Sequence, residues 1–303
     1  MRRVISLNFN EKFKVRIEEA EQVIKEFLPK EEGLQKIICE AMNYSVLGGG
    51  KRLRPVMMKA TYELFGGKGE VIKPFMAALE MIHTYSLVHD DLPAMDNDDF
   101  RRGRATTHVK YNEAIAILAG DGLLNYAFET AIKAFEYEED AKLVAKAMKV
   151  LAAKAGIYGM IGGQTVDIES ESGNQILNEE TLIFIHKNKT AALIECAMMI
   201  GAILAGASED EVNAVEKIAY NIGIAFQIQD DILDVIGNQE VLGKPIGSDA
   251  KNDKLTYVSL KGLDVAKEDV AKISKEAISS IETFEKEEHF LSELAVYLID
   301  REK

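Results

Sequence analysis

Ile222-Gly223-Ile224-Ala225-Phe226-Gln227-Ile228-Gln229-Asp230-Asp231-Ile232-Leu233-Asp234-Val235-Ile236 reads as one helix, apolar on both sides, that carries three carboxylates. Carboxylates in such a helix are costly unless they are paired or bound to metal. At about 100° per residue, Asp230 and Asp234 fall about 40° apart on one face. Phe226 and Gln227 precede Asp230 by four and three positions and share that face, while Asp231 falls to one side. The face presents an aromatic ring, an amide and two carboxylates. A solvated face or an N-cap is the commonplace reading of such a cluster, and the apolar flanks argue against it.

A second acidic cluster lies far upstream, in His89-Asp90-Asp91-Leu92-Pro93-Ala94-Met95-Asp96. It closes an apolar helical run from Phe75 to Val88. An unbroken helix would put Asp96 roughly 120° from the face of Asp90. Pro93 removes a helical hydrogen bond and crowds the carbonyl of His89, so the helix should kink or end and let Asp96 swing back. Asn97, Asp98 and Asp99 extend the patch. Two acidic clusters that face each other would hold several hard divalent cations. Mg²⁺ takes one or two carboxylates per ion and fills its other positions with water and phosphate oxygens, so the expected guest is a phosphorylated ligand.

Basic islands stand beside these clusters in a chain whose net charge is −14. Gly48-Gly49-Gly50-Lys51-Arg52-Leu53-Arg54-Pro55 sets glycines, which let backbone approach an anion, before Lys51 and Arg54. It is not a P-loop, and alone it is a weak phosphate signal. Arg101-Arg102-Gly103-Arg104 follows the first cluster. Lys187, Lys189 and Thr190 interrupt an apolar helix. Ordinary surface ion pairs are the usual fate of a single Arg. Islands placed like these suggest two polyanions, one bridged by metal and one held by Lys and Arg directly.

Helical periodicity runs through the rest. Phe13, Ile17, Ala20 and Ile24 trace one stripe, and Leu34, Ile38, Met42 and Ser45 another. Further patterns cover roughly 70–90, 107–135, 140–160, 178–205 and 209–236, with two more from about 264 onward. Strands have no clear home. Pro29, Pro55 and Pro74 fit helix ends or first turns. No Gly/Ser-rich or Pro-rich linker appears, so residues 1–303 read as one all-α domain of about ten or more helices. The irregular stretches Leu92–Thr106, Glu169–Asn178 and Gly237–Asp253 are lid candidates.

Acidity argues against nucleic acid and against a polybasic membrane attachment. Cys39 and Cys196 sit in no motif, and a reducing cytoplasm is the expected compartment. No signal peptide is seen. The apolar run Ala191–Ala207 contains Glu195 and is short of the ~20 residues a membrane span needs, so it reads as a core helix and no stable membrane insertion is expected.

Taken together, His89–Gly103, Asp230–Asp234 and Gly48–Pro55 resemble the trans-isoprenyl diphosphate synthases (polyprenyl synthetases), most closely the bacterial farnesyl diphosphate synthases. The resemblance runs from Gly48 to the C-terminal Tyr297–Lys303. It implies an all-α bundle around a deep central cavity, usually dimeric, and hence a homodimer. It also implies three Mg²⁺ ions, with Mn²⁺ as a substitute, held by Asp90, Asp96 and Asp230, with Asp91, Asp231 and Asp234 nearby. Arg101, Lys189, Thr190, Gln227 and Lys244 would meet the allylic diphosphate. Lys51, Arg54, His83 and Arg102 would hold isopentenyl diphosphate, although a lone His on an apolar helix is more often a satisfied core residue. Phe226 would line the cation that forms when pyrophosphate departs. No Ser-His-Asp or Cys-His signature is present, and this chemistry needs none.

Product length is a packing matter. The helical wheel favours Ser86 as the lining residue beneath Asp90, whereas the resemblance favours Tyr85 as the cavity floor, and with it a farnesyl (C15) product. Products of C20 or C10 are the nearest alternatives. A class I terpene cyclase usually carries an Asn/Ser/Glu triad in place of the second Asp-rich run. A non-catalytic partner subunit tends to lose the metal motifs, and this chain keeps both. A Ca²⁺-binding helical protein would show EF-hand spacing, which is lacking. Two departures from the family pattern stand out: Asn97 where relatives often carry Asp, and Val258 in place of a common Pro.

Overall fold

Helices form along the apolar stripes, except that Leu34 stays outside its expected helix and fully exposed. The structure, a computed structural model, describes residues 8–138, 140–174, 178–236, 256–285 and 289–299. In order these form α1 (Phe9–Glu26), α2 (Lys36–Val46), α3 (Leu53–Leu64), α4 (Ile72–Asp90), β1 (Phe100–Arg101) and β2 (Arg104–Ala105). They continue with α5 (Thr107–Lys110), α6 (Glu113–Ile132), a 3₁₀ turn (Lys133–Glu136), α7 (Ala141–Ala155), α8 (Met160–Glu171) and α9 (Glu179–Ile185). A π-turn (His186–Ala191) leads into α10 (Ala192–Leu204) and α11 (Glu209–Ile236). The chain closes with α12 (Tyr257–Lys261), α13 (Leu263–Glu282) and α14 (Phe290–Ile299). The class is all-α, with one antiparallel ribbon of two residues per strand among the described residues.

Sequence punctuation sets several boundaries. Asn8 caps α1 in a reciprocal capping box with Glu11, satisfying two orphan N–H groups. Pro55 and Pro74 lie in the first turns of α3 and α4, where a missing N–H costs nothing. Pro93 follows the end of α4 directly.

The chain forms two compact units, Met1–Lys59 with Lys68–Met148, and Ala60–Gly67 with Lys149–Lys303. In the first, α4 is buried along nearly its whole length and packs against α6, α1 and α2. Phe75, Met76, Leu79, Met81 and Ile82 are almost fully enclosed, together with Met57, Met58 and Leu123. α6 approaches at Gly120, where a Cβ would lie 2.0 Å from the His89 imidazole nitrogen. Inside this core Arg52 donates to Glu80 at 2.7 Å and to the Val46 carbonyl at 2.8 Å. Both side chains are almost wholly buried.

In the second unit every residue of α10 is buried, which bears out its reading as a core helix. Glu195 within it is neutralised by Lys154, which also reaches Glu216 at 2.6 Å. α11 packs against α10 and α13. Ile224, Ala225, Ile228 and Ile232 of α11 share a core with Tyr257, Ala266 and Val270. The described segment Glu113–Glu136 is long and apolar enough to cross a membrane by length and composition alone, but α6 within it packs on α4.

Removing one partner of a buried ion pair leaves the other charged and unsolvated, at a cost of about 3–5 kcal/mol. Glu80→Ala should therefore destabilise the protein by about that much in chemical denaturation. A loss no larger than that of an exposed pair, about 1 kcal/mol or less, would contradict the assignment.

Candidate active site

α4 delivers the first acidic cluster at its C-terminal end. After Asp90 the helix stops, and the Asp96 N–H donates to the Asp90 carbonyl at 2.8 Å. The turn that follows Pro93 thus returns Asp96 to Asp90, with Asn97 at φ +53° just beyond. Asp96 is exposed and Asp90 half-buried.

Asp91 faces elsewhere. It is buried, and its two carboxylate oxygens accept from Arg101 Nε at 2.8 and 3.0 Å. The other arm of the Arg101 fork lies 2.6 Å from the same carboxylate. Burial pushes the Asp91 carboxyl up, while Arg101 pulls it down through hydrogen bonding and charge. Arg101 sits on β1 of the small hairpin. The hairpin turns at Arg102 (φ +54°) and Gly103 (φ +74°), the two positive φ values that a tight two-residue loop of matching twist needs.

The turn aims Arg102 at the glycine segment, where its guanidinium donates to the Gly49 carbonyl. A Cβ on Gly50 would meet that guanidinium at 2.6 Å, and Gly50 has φ +135°, so only glycine fits there. Arg54 is inside as well. Burial and the nearby Arg102 charge lower its pKa, with Glu80 opposing. The Arg54 Nε is buried without a hydrogen-bond partner among the described residues. His83 is held well below the ordinary imidazole value by burial and by the charges of Arg54, Arg102, Arg101 and Arg52, so it is neutral at pH 7. Lys51 is exposed. Glu80 is engaged by Arg52, so this part of the first unit carries surplus positive charge, a condition that favours an anion.

Tyr85 lies buried on α4, edge-on to His89 with centroids 5.8 Å apart. Its hydroxyl has no hydrogen-bond partner among the described residues, and burial together with the Asp90 charge pushes its pKa up to about 12. Ser86 is half-buried, and its hydroxyl donates to the His83 carbonyl at 2.9 Å.

In the second unit, α11 exposes Asp230 and leaves Asp234, Phe226 and Gln227 half-buried. Asp231 is buried and accepts the Tyr257 N–H at 2.6 Å, with His186 Nε2 at 3.7 Å. The second Asp of each cluster thus secures a neighbouring segment: the hairpin for Asp91, the start of α12 for Asp231. Lys189 and Thr190 lie half-buried in the π-turn, and Lys189 is 2.5 Å from the buried carboxylate of Asp167. Lys244 lies outside the described residues.

Among the described residues no group of three His, Cys, Asp or Glu side chains stands ready for a metal ion. The donors at the cluster faces are hard carboxylate oxygens, the type Mg²⁺ takes one or two at a time beside substrate phosphates. Asp90, Asp96, Asp230 and Asp234 therefore fit that ion.

Three features carry no clear signature in the sequence. The hairpin stands where the sequence pattern predicts an irregular loop. Arg52 looked like part of a phosphate segment and is a core residue. Asp167, a single acid in a helix, gave no signal beyond standing four residues after Gly163.

Residues 35–295 match the Polyprenyl synthetase family model. The chain belongs to the polyprenyl synthetase family. It is 44% identical over 286 residues to a geranylgeranyl diphosphate synthase of Cyanophora paradoxa, covering 94% of each chain. Its fold superposes on an FPP/GFPP synthase of Zymomonas mobilis with a TM-score of 0.86 and 33% identity, over 96% of this chain and 99% of that one. A geranyltransferase of Helicobacter pylori, solved with magnesium and isoprenyl diphosphate, aligns at a TM-score of 0.79 and 30% identity over 98% of both chains. The family makes this chain a Mg²⁺-using prenyltransferase of isoprenoid biosynthesis.

The surplus of cations near His83 has a direct readout. The His83 ring should titrate well below pH 6.5 by NMR in the free protein, and its midpoint should rise when inorganic pyrophosphate is added. Because the folded value is depressed, the stability that neutral His83 contributes is complete above about pH 6.5 and is lost as pH falls through the folded value. A midpoint at or above 6.5, unmoved by pyrophosphate, would contradict the assignment.

Proposed function

We propose that the protein joins isopentenyl diphosphate head-to-tail to dimethylallyl and then geranyl diphosphate, giving farnesyl diphosphate. The observation that carries this reading is the pairing, within one unit, of a group of arginines around His83 on α4 with an acidic face at the end of the same helix. Arg54 and Arg102 beside neutral His83 supply the first, and Asp90 with Asp96 the second. Those are the needs of two diphosphates, one held by side-chain cations and one held through metal.

In this reading Asp90, Asp96 and Asp230 hold the Mg²⁺, with Asp234 in support; three ions is the expected number, and Mn²⁺ an expected substitute. When bound, Mg²⁺ supplies Lewis acidity at the departing pyrophosphate. The rest is the chain's own work. Arg101, Lys189 and Lys244 orient the allylic diphosphate and stabilise the charge that gathers on it. Lys51, Arg54, His83 and Arg102 hold the second diphosphate so that its double bond faces the allylic carbon. The C–O bond breaks, and the allylic cation is bordered by groups that do not attack it: the Phe226 ring, the Gln227 amide and the Thr190 hydroxyl. The double bond adds, and the proton leaves to the released pyrophosphate. Water must be kept out, because it would quench the cation.

Tyr85 is the proposed floor of the hydrocarbon cavity, since its bulky ring is buried on the helix that ends at Asp90. The 44% identity to a geranylgeranyl diphosphate synthase favours a C20 product as the second reading. The homodimer is proposed on α5 and α6, where Val109, Ile117, Leu118 and Ile132 are exposed apolar side chains. The cytoplasm is the proposed location.

Incubation with dimethylallyl and isopentenyl diphosphates plus Mg²⁺ should give C15 as the main chain length, and Tyr85→Ala should lengthen it. A C20 product from the parent enzyme would move the floor away from Tyr85. Turnover of an allylic diphosphate alone would point to a cyclase. Asp90→Ala and Asp230→Ala should each cost at least about 100-fold in kcat/KM, and a chelator should abolish activity.

A further inference from the structure

Lys189 sits at a locally tailored piece of backbone. It lies in the π-turn His186–Ala191, a geometry that departs from the regular helix on either side. Two glycines grip that turn. A Cβ on Gly163 of α8 would stand 2.2 Å from the Lys189 backbone nitrogen and 2.8 Å from its Cα. A Cβ on Gly223 of α11 would stand 2.3 Å from the Ala191 Cβ. Any side chain at either position would push the turn aside.

One helical turn beyond Gly163, α8 presents Asp167. Its carboxylate is 5% exposed and lies 2.5 Å from the Lys189 ammonium, whose side chain keeps 31% exposure. A buried carboxylate requires such a partner. The benefit also runs the other way. A lysine stem carries about 2 kcal/mol of rotamer entropy and three rotatable N–H donors. Fixing one donor on Asp167 sets the directions of the remaining two and removes much of that entropy before a ligand arrives.

We infer that Asp167 is a positioning residue for the prenyl transfer: it holds the Lys189 ammonium in place for the allylic diphosphate, with Gly163 and Gly223 fixing the backbone beneath it. This rests on the reading above that Lys189 meets the allylic diphosphate. Asp167 itself touches neither substrate nor metal in this assignment, so its effect on the allylic diphosphate should run through Lys189.

The test is steady-state kinetics on the full-length protein, with each substrate varied against saturating partner. Asp167→Asn should raise KM for dimethylallyl diphosphate about tenfold, as expected for losing a charged hydrogen bond, and leave KM for isopentenyl diphosphate within about twofold. In a Lys189→Ala background the same change should add less than about twofold, because its target is gone. Asp167→Glu, which keeps the charge and moves it by one methylene, should show the same selectivity with a smaller rise; it serves if the Asn variant does not fold. An equal rise in both KM values would overturn the inference. So would no rise, or a full additional loss in the Lys189→Ala background. Failure of the underlying reading looks different: Lys189→Ala would itself leave the allylic KM unchanged, or the parent protein would not turn over these substrates.

Discussion

A carboxylate taken out of water must meet a cation, a hydrogen-bond donor or a metal, or give up its charge. Both acidic clusters answer that demand by dividing their members. Asp91 takes the guanidinium of Arg101, and Asp231 takes the N–H of Tyr257. Their neighbours Asp90, Asp96, Asp230 and Asp234 lie at or near the surface, where hard ions and phosphate can reach them. The buried members give the exposed ones a fixed surround. Asp91 anchors the hairpin that carries Arg101 and Arg102, and Asp231 anchors the start of α12. Asp167 repeats the device at Lys189.

The cations follow the complementary rule. Arg52, in the glycine-led basic segment, donates to Glu80 and the Val46 carbonyl, with Glu21 3.6 Å from its Nε. Among the described residues Arg54 and Arg102 have no such carboxylate, and burial together with their charge keeps His83 neutral. A neutral His beside arginines can donate to a phosphate oxygen without adding to the repulsion already there. Surplus charge of this kind lowers the stability of the unliganded protein and favours the arrival of an anion, a common exchange at functional sites.

Much of this was legible in the sequence. The stripes of α1, α4, α10 and α11 have strong periodicity or continuous apolar character, and Pro93 announced the end of α4. The two clusters and the glycine segment pointed to one family, which the comparisons bear out. What was illegible has physical reasons. A hairpin with two residues per strand is too short for alternation to register, and its Arg102-Gly103 turn is not the Asn-Gly or Asp-Gly that advertises such a loop. The π-turn depends on packing against Gly163 and Gly223, which are distant in sequence. Asp167 matters through a contact, and a lone acid on a helix has no signature. The wheel sets Ser86 beneath Asp90 and is blind to packing, which buries Tyr85 and leaves Ser86 half-buried.

In the proposed reading, Asp90, Asp96 and Asp230 would together hold magnesium on one allylic diphosphate. A crystal structure of this protein with Mg²⁺ and an unreactive allylic diphosphate analogue tests it most directly. The account predicts metal ions at about 2.0–2.1 Å from oxygens of all three aspartates and of the same diphosphate. A diphosphate whose metal ions touch one acidic cluster only, with the other left in solvent, would contradict it.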